Sequence, residues 1–219
     1  MTDKNNESGA AHAKTSQDFL LAEYQGLIEI DKSRNDRLDR FLTLFLTLAA
    51  SPWALYALIS HEGKDAVPLV PLPLPLAIVF LLTGSLGFLI VMMFVQIRFL
   101  IILYMRAMNS IRGHFAKEAH VRDGLRLPID GNVPPYYEPG SYVLFAVIGM
   151  GLVNSAYVAF GVHDLTTRVF RDRPLIAIFT GIGFFAAWFA LHLTYYRNQA
   201  HRRETKDKGG KLTFRMPRH

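Results

Sequence analysis

Very few polar side chains interrupt the apolar parts of this chain, and they are the first places to look for chemistry. Asn154 carries an amide that is costly in an apolar environment unless it is paired. We therefore expect Asn154 to bridge two helices, with a place in a polar path as the alternative. His192, beside Tyr195 and Tyr196, is interpreted as an interfacial histidine. Its imidazole also has the chemistry to sense pH or to carry a proton.

Two histidines stand directly before an acid, in His61-Glu62 and His163-Asp164. These pairs would bind a metal only if the fold brought them together. The sequence has no glycine-rich phosphate loop, no serine nucleophile elbow and no HExxH motif. Its lack of cysteine excludes disulfides and thiolate metal sites. We expect no catalytic residue, no cofactor and no metal.

The elements that carry these residues are long apolar stretches without Lys, Arg, Asp or Glu. A membrane core about 30 Å thick needs roughly 20 apolar residues to be crossed as a helix, and each stretch reaches that length. The four stretches run from Phe41 to Ser60, Leu76 to Ile97, Tyr142 to Val162 and Pro174 to Tyr196. The pattern predicts an all-α membrane protein with four transmembrane helices and with cytoplasmic helical extensions of spans one and two.

The remaining sequence is too short and too scattered for a separate soluble catalytic domain of ordinary size. A helix interrupted only by Pro52 is expected from about Ser16 to Ser60, and a second from Leu76 to Lys117. We divide the chain into a disordered tail (1–15), a cytoplasmic helix (16–40), a four-span membrane domain (41–196) that includes a cytoplasmic helix and linker (98–140), and a basic tail (197–219).

The distribution of basic residues predicts the orientation. The loops between spans one and two and between spans three and four carry four Lys and Arg, whereas the other three segments beside the spans carry eighteen. Because cytoplasmic segments are enriched in Lys and Arg, both termini and the central segment should be cytoplasmic. Arg168, Arg171 and Arg173 run against this bias without reversing it. The same rule explains the net charge of +6 better than nucleic-acid binding does.

A heptad seam leads into the first span. Leu20, Tyr24, Leu27, Asp31, Arg34, Leu38 and Phe41 follow one another at alternating spacings of four and three. Asp31 and Arg34 are its polar members. The segment 16–40 holds six acids, whereas 98–117 has four bases and no acid. We expect the two extensions to pair as a stalk through Asp31, Arg34, Arg98 and Arg106.

Small residues mark helix faces that can approach closely in lipid. Gly151, Asn154 and Ser155 form such a face in span three, and Gly183 and Ala187 form one in span four. Packing within the chain and self-association both remain open. In the basic tail, Arg197, Arg202, Arg203 and Lys206 are expected to lie near anionic lipid, with nucleic-acid contact as the rival interpretation.

The segment 20–60 is similar to a signature of small, mostly uncharacterised bacterial membrane proteins. In this chain the similarity rests on Glu23, Tyr24, Leu27 and Glu29, followed by Arg34, Arg37 and span one. In those proteins the signature reads E-Y-x-x-L-R-x-E and precedes a membrane hairpin. Some of those proteins resemble two-span effector modules of conflict systems, in which a sensing partner triggers membrane damage. This chain has Ile28 at the arginine position and four spans, and no functional residue is transferred.

Three functions fit the sequence. The first is a non-enzymatic membrane effector or scaffold that passes a cytoplasmic signal to an oligomeric membrane domain, by a coiled-coil stalk. The second is a channel or transporter component, and the third is a membrane enzyme acting on lipid. The first is favoured because the spans are poor in charged residues, whereas transporters usually place ionisable residues there. An effector of this kind would lie in the bacterial inner membrane. Its partners would be membrane lipids, further copies of the same chain and a cytoplasmic protein.

Reporter fusions test the orientation. Fusions at residue 1 and residue 219 are expected to report the cytoplasm, and a fusion at Lys64 the outside, because the loop at Lys64 has a single basic residue. A cytoplasmic signal from the Lys64 fusion would contradict the predicted topology.

Overall fold

A computed structural model of the protein describes residues 3–61, 73–118 and 134–209, and the side chains of 18–58, 73–115 and 134–206. The described residues form four helices and no strand: α1 (Asp3–His61), α2 (Leu74–Glu118), α3 (Tyr142–Val169) and α4 (Pro174–Gly209). The loop after span one, much of the 98–140 linker and the end of the basic tail lie outside the described residues.

All four helices are long and apolar enough to cross a membrane. This confirms the predicted all-helical class with four candidate spans and supports a membrane-embedded protein. Two helices differ in extent from the sequence prediction. α1 begins at Asp3 rather than near Ser16, and Ala10, Ala11 and Ala13 favour helix in that segment. α4 continues to Gly209 through a stretch in which most residues are good helix formers.

The chain divides into two compact units. We call Met1–Arg37 with Phe99–Pro135 the extension unit, and Leu38–Arg98 with Tyr136–His219 the span unit. α1 and α2 each contribute to both units, since α1 has 59 residues and α2 has 45, about twice the roughly 20 needed for a membrane span.

In the extension unit the heptad seam is the least exposed side of α1. Leu20 is buried, and Tyr24, Leu27, Asp31 and Arg34 are half-buried, whereas most residues between them are exposed. A helix that shields one stripe of side chains at spacings of three and four packs along that stripe. The seam is therefore the packed side of α1 in this unit.

In the span unit, α2 and α3 approach closely at glycines. A Cβ atom at Gly84 would lie 2.7 Å from Val158 Cγ2 and 2.8 Å from the Asn154 carbonyl oxygen. A Cβ atom at Gly87 would overlap the Asn154 amide. A Cβ atom at Gly161 on α3 would lie 2.6 Å from Leu81 Cγ and 2.9 Å from the Ala77 carbonyl oxygen on α2. Only glycine leaves room for this contact, which brings the two backbones together as in other small-residue membrane interfaces.

An aromatic cluster joins α1 to this pair of helices. The Trp53 ring centroid lies 5.5 Å from Phe80 on α2 and 5.9 Å from Phe160 on α3, in edge-to-face arrangements, and 6.4 Å from Tyr157. Such geometry is favourable beyond the area that it buries. Most of the remaining span surface of α1 is exposed, so this cluster is one of the few places where α1 packs in the span unit.

Pro52 lies inside α1 and has no N–H to donate to the Leu48 carbonyl. The Ser51 hydroxyl donates to that carbonyl at 2.9 Å, and the Tyr157 hydroxyl donates to the neighbouring Ala49 carbonyl. Unpaired carbonyls are costly in hydrocarbon, and side-chain hydroxyls are a usual remedy near membrane prolines. α1 thus remains helical through Pro52.

The start of α3 and the turn into α4 are set by local chemistry. Gly140 has φ 81°, a left-handed conformation that favours glycine. The next residue, Ser141, caps α3 by accepting from the Leu144 N–H at 3.3 Å. α4 begins at Pro174, whose fixed φ suits the first position of a helix.

Replacing Gly87 with alanine tests the close contact. We expect Gly87→Ala to destabilise the protein by about 1–3 kcal/mol, as overpacking does, because its Cβ meets the Asn154 side chain. Gly183→Ala is the matched control, since nothing lies within 4 Å of a Cβ there. Thermal unfolding in a neutral detergent measures both. Equal unfolding temperatures for the two variants would contradict the contact.

Candidate functional site

The most polar place in the apolar interior of the span unit lies between α3 and α4. Asn154 on α3 is 1% exposed and His192 on α4 is fully buried. Their Nδ2 and Nε2 atoms are 3.2 Å apart, which is hydrogen-bond distance. The contact joins two helices by a polar bond at a depth where water does not compete with it.

The surroundings of His192 define its tautomer. Nδ1 lies 2.8 Å from the Trp188 carbonyl oxygen. A carbonyl only accepts, so Nδ1 carries the hydrogen and donates. Nε2 of the neutral ring is then an acceptor, and the Asn154 amide donates to it. The imidazole is thereby held in one orientation by two partners.

Apolar and small residues enclose this pair. The Phe88 ring on α2 meets the His192 ring edge to face at 4.9 Å. Gly151 lies against His192, where an added Cβ would be 3.3 Å from His192 Cβ. The Trp188 indole nitrogen is buried and has no hydrogen-bond partner among the described residues. α2, α3 and α4 therefore all contribute to the site.

A second set of polar contacts lies further along α4. Gln96 on α2 donates from Nε2 to the Tyr195 hydroxyl at 3.1 Å, and its Oε1 accepts from Arg203 Nη2 at 3.0 Å. The Tyr196 hydroxyl donates to the Tyr136 carbonyl at 3.4 Å. Tyr195 is about one helical turn from His192. Polar contacts thus follow α4 from His192 to Arg203.

The fold and this site define a general class: a membrane-embedded helical protein whose span unit is held together by buried polar contacts and glycines. No family model matches the sequence, and no match was found among curated proteins or among solved structures.

The residues expected to mark helix packing fall on different surfaces. Gly151, Asn154 and Ser155 are buried on α3, and the Ser155 hydroxyl donates to the Gly151 carbonyl at 2.6 Å. Gly183 and Ala187 are exposed on α4. The first group therefore lies inside the span unit, and the second faces outward.

The residues expected to pair in the stalk are divided between the units. Asp31, Arg34 and Arg106 belong to the extension unit, and Arg98 to the span unit. Asp31 Oδ2 accepts from Asn35 Nδ2 at 3.3 Å, and Arg106 Nε donates to the Pro134 carbonyl at 3.0 Å. The stalk pairing stays a prediction.

The residues expected near lipid lie on α4 itself. Arg197, Arg202 and Lys206 are exposed there. Arg203 is half-buried, because its guanidinium bonds to Gln96. One side of this basic helix is therefore available to a lipid surface, while Arg203 ties the helix to α2.

The histidine–acid pairs do not assemble into a ligand set in the described part of the chain. Asp164 is buried and accepts from Arg168 Nε at 2.9 Å. The side chains of His61 and Glu62 lie outside the described residues. Within residues 18–58, 73–115 and 134–206, no group of three or more His, Cys, Asp or Glu side chains could hold a metal ion.

Sequence reasoning missed two features of the site. Gln96 was not singled out in the sequence, yet this residue links α2 to α4. The close contacts at Gly84 and Gly87 were also missed. The available signal was their spacing of three within span two, which places two glycines on one helix face.

A double-mutant cycle tests the buried pair. We expect Asn154→Leu and His192→Leu each to destabilise, because each leaves a buried partner unpaired. The double variant should cost less than the sum of the two single variants, with a coupling of about 0.6 kcal/mol, the average for membrane hydrogen bonds, and at most about 1.7 kcal/mol. Unfolding in detergent measures it.

A control cycle combines Asn154→Leu with Thr180→Val. Among the described residues, the Thr180 hydroxyl bonds to its own helix alone, at the Ile176 carbonyl, so those two effects should add. Additivity in both cycles would show that Asn154 and His192 do not interact.

Proposed function

We propose that the protein is a non-enzymatic integral membrane effector or scaffold that passes a cytoplasmic signal to its membrane domain. The observation that carries the proposal is the extension unit. It is built from parts of α1 and α2, the same helices that supply two candidate spans. A helix transmits displacement or rotation along its length, so a ligand of the extension unit has a direct route to the spans.

Charge in the extension unit supports a regulated contact. The α1 segment is rich in acids, and the α2 segment after Phe99 is basic up to Lys117. Opposite charges favour pairing of the two segments and make that pairing sensitive to a charged partner. A cytoplasmic protein that competes for one segment would act as the signal.

The proposal includes a location and an assembly. We place the protein in the bacterial inner membrane with both termini in the cytoplasm, in agreement with the charge bias. We propose a homo-oligomer formed through the outward face of α4 at Gly183 and Ala187. An added Cβ at Gly183 meets nothing within 4 Å, so another helix has room to approach there.

A substitution in the extension unit tests the proposal. Overexpression of the wild-type chain is expected to depolarise bacterial cells, measured with a potential-sensitive dye. Leu20→Asp should reduce the depolarisation at least about tenfold, because Leu20 is only 7% exposed and a buried carboxylate disrupts the packing around it. The amount of protein in the membrane fraction is measured alongside.

Leu21→Asp is the matched control, since Leu21 is 50% exposed on the same helix. It should depolarise cells like the wild type. A wild-type protein that is monomeric at every concentration and leaves the membrane potential unchanged would remove the proposal. Equal activity of Leu20→Asp and wild type would remove the role of the extension unit.

A channel or transporter component is the second candidate. It is favoured by two polar contacts between helices, Asn154 with His192 and Gln96 with Arg203, because polar groups inside membrane bundles often mark pathways. Ion flux into vesicles that contain the purified protein separates the candidates. A channel would lose flux with Asn154→Leu and keep it with Leu20→Asp, whereas the effector proposal expects loss with Leu20→Asp.

A further inference from the structure

An open groove runs between α3 and α4 on the surface of the span unit. Its volume is about 410 Å³. Small residues, Ala156, Ala159 and Gly181, line it together with the aromatic rings of Phe160 and Phe185. The α3 residue of the lining nearest to the α3–α4 turn is His163, which is also its main polar member.

The dimensions and chemistry of the groove suit a hydrocarbon chain. Along α3 the lining extends over eight residues, from Ala156 to His163, and the seven steps between them cover about 10 Å of helix. Both helices are candidate membrane spans, so the groove opens toward the lipid phase. The chain most abundant there is the acyl tail of a phospholipid, and small residues let such a tail lie close to the helix backbone.

The turn beside the groove adds positive charge. Arg171 and Arg173 are exposed, with Asp172 between them in sequence. Arg168 lies about one helical turn beyond His163 and bonds through Nε to the buried Asp164 at 2.9 Å. These arginines are the group that opposes the charge bias of the other segments, and an anion held at this turn would account for them.

We propose that the groove binds one acyl chain of an anionic phospholipid whose phosphate is held by Arg171 and Arg173. The order along the chain fits, because a headgroup lies beyond the end of its hydrocarbon, and Arg171 and Arg173 follow the end of α3, beyond the His163 end of the groove. Arg168, anchored on Asp164, lies between the two regions. Lipid binding in this groove requires only that α3 and α4 lie in the membrane. It does not depend on the proposed role in passing a cytoplasmic signal.

Native mass spectrometry of the full chain in a neutral detergent tests the proposal. Phosphatidylglycerol and phosphatidylcholine with identical acyl chains are added in turn, and the fraction of protein that retains lipid is measured. Phosphatidylglycerol should be retained more strongly, by about fivefold for each arginine that reaches its phosphate, because in phosphatidylcholine the choline cation offsets the phosphate charge. Equal retention of the two lipids would overturn the assignment of the arginines.

Two sets of variants separate the tail from the headgroup. Ala159→Phe fills the groove and should lower the retention of both lipids about tenfold, whereas Ala190→Phe, at an exposed position of α4 outside the groove, should not. The double variant Arg171→Gln/Arg173→Gln should remove the preference for phosphatidylglycerol, and Arg171→Lys/Arg173→Lys should keep it. The exposed arginines keep the test available if Ala159→Phe does not fold.

Unchanged lipid retention in Ala159→Phe would overturn the groove as the binding place. The same spectra report the mass of the complex, so they detect a competing occupant. If Ala159→Phe converted a dimer into a monomer and left lipid retention as in wild type, the occupant would be a second copy of the chain, and the lipid proposal would be wrong.

Discussion

The close approach of α2 and α3 is the constraint on which the span unit depends. Without a hydrophobic drive between helices in lipid, helices associate where their backbones can come near each other. Gly84 and Gly87 make that possible on α2, and Gly161 does so on α3. The Asn154 amide lies against Gly87 on α2, where only a glycine leaves room for it, and it also reaches His192 on α4. The glycine contact therefore places Asn154 where it touches both neighbouring helices.

The same environment makes an unpaired polar group costly. Several hydroxyl groups in the spans are satisfied within their own helix: Ser155 by the Gly151 carbonyl, Thr166 by the Val162 carbonyl and Thr180 by the Ile176 carbonyl. Asn154 and His192 each have a group that their own helix does not satisfy. Asn154 and His192 therefore link two helices, whereas the hydrogen bonds of these three hydroxyl groups only avoid the free-energy cost of an unpaired buried polar group.

The sequence was enough to predict the helical class and the candidate spans, because length and the absence of charge determine whether a helix can cross a membrane. It also singled out Asn154, since one amide in a long apolar stretch is conspicuous. It gave no partner for Asn154, because the face that a membrane helix turns to its neighbour depends on packing with other helices. The outward orientation of Gly183 and the anchoring of Arg203 on Gln96 were hidden for the same reason.

The repair of α1 around Pro52 has a consequence for biosynthesis. Tyr157, which bonds to the Ala49 carbonyl, is 108 residues further along the chain. At ribosomal rates of about 5–20 residues per second, α1 waits roughly 5 to 20 seconds for it. Ser51 needs no such wait, because it neighbours Pro52 and reaches the Leu48 carbonyl at once. The first span therefore enters the membrane with the Ser51 hydrogen bond already formed. α1 can remain helical in lipid before the helices that pack against it have been synthesised.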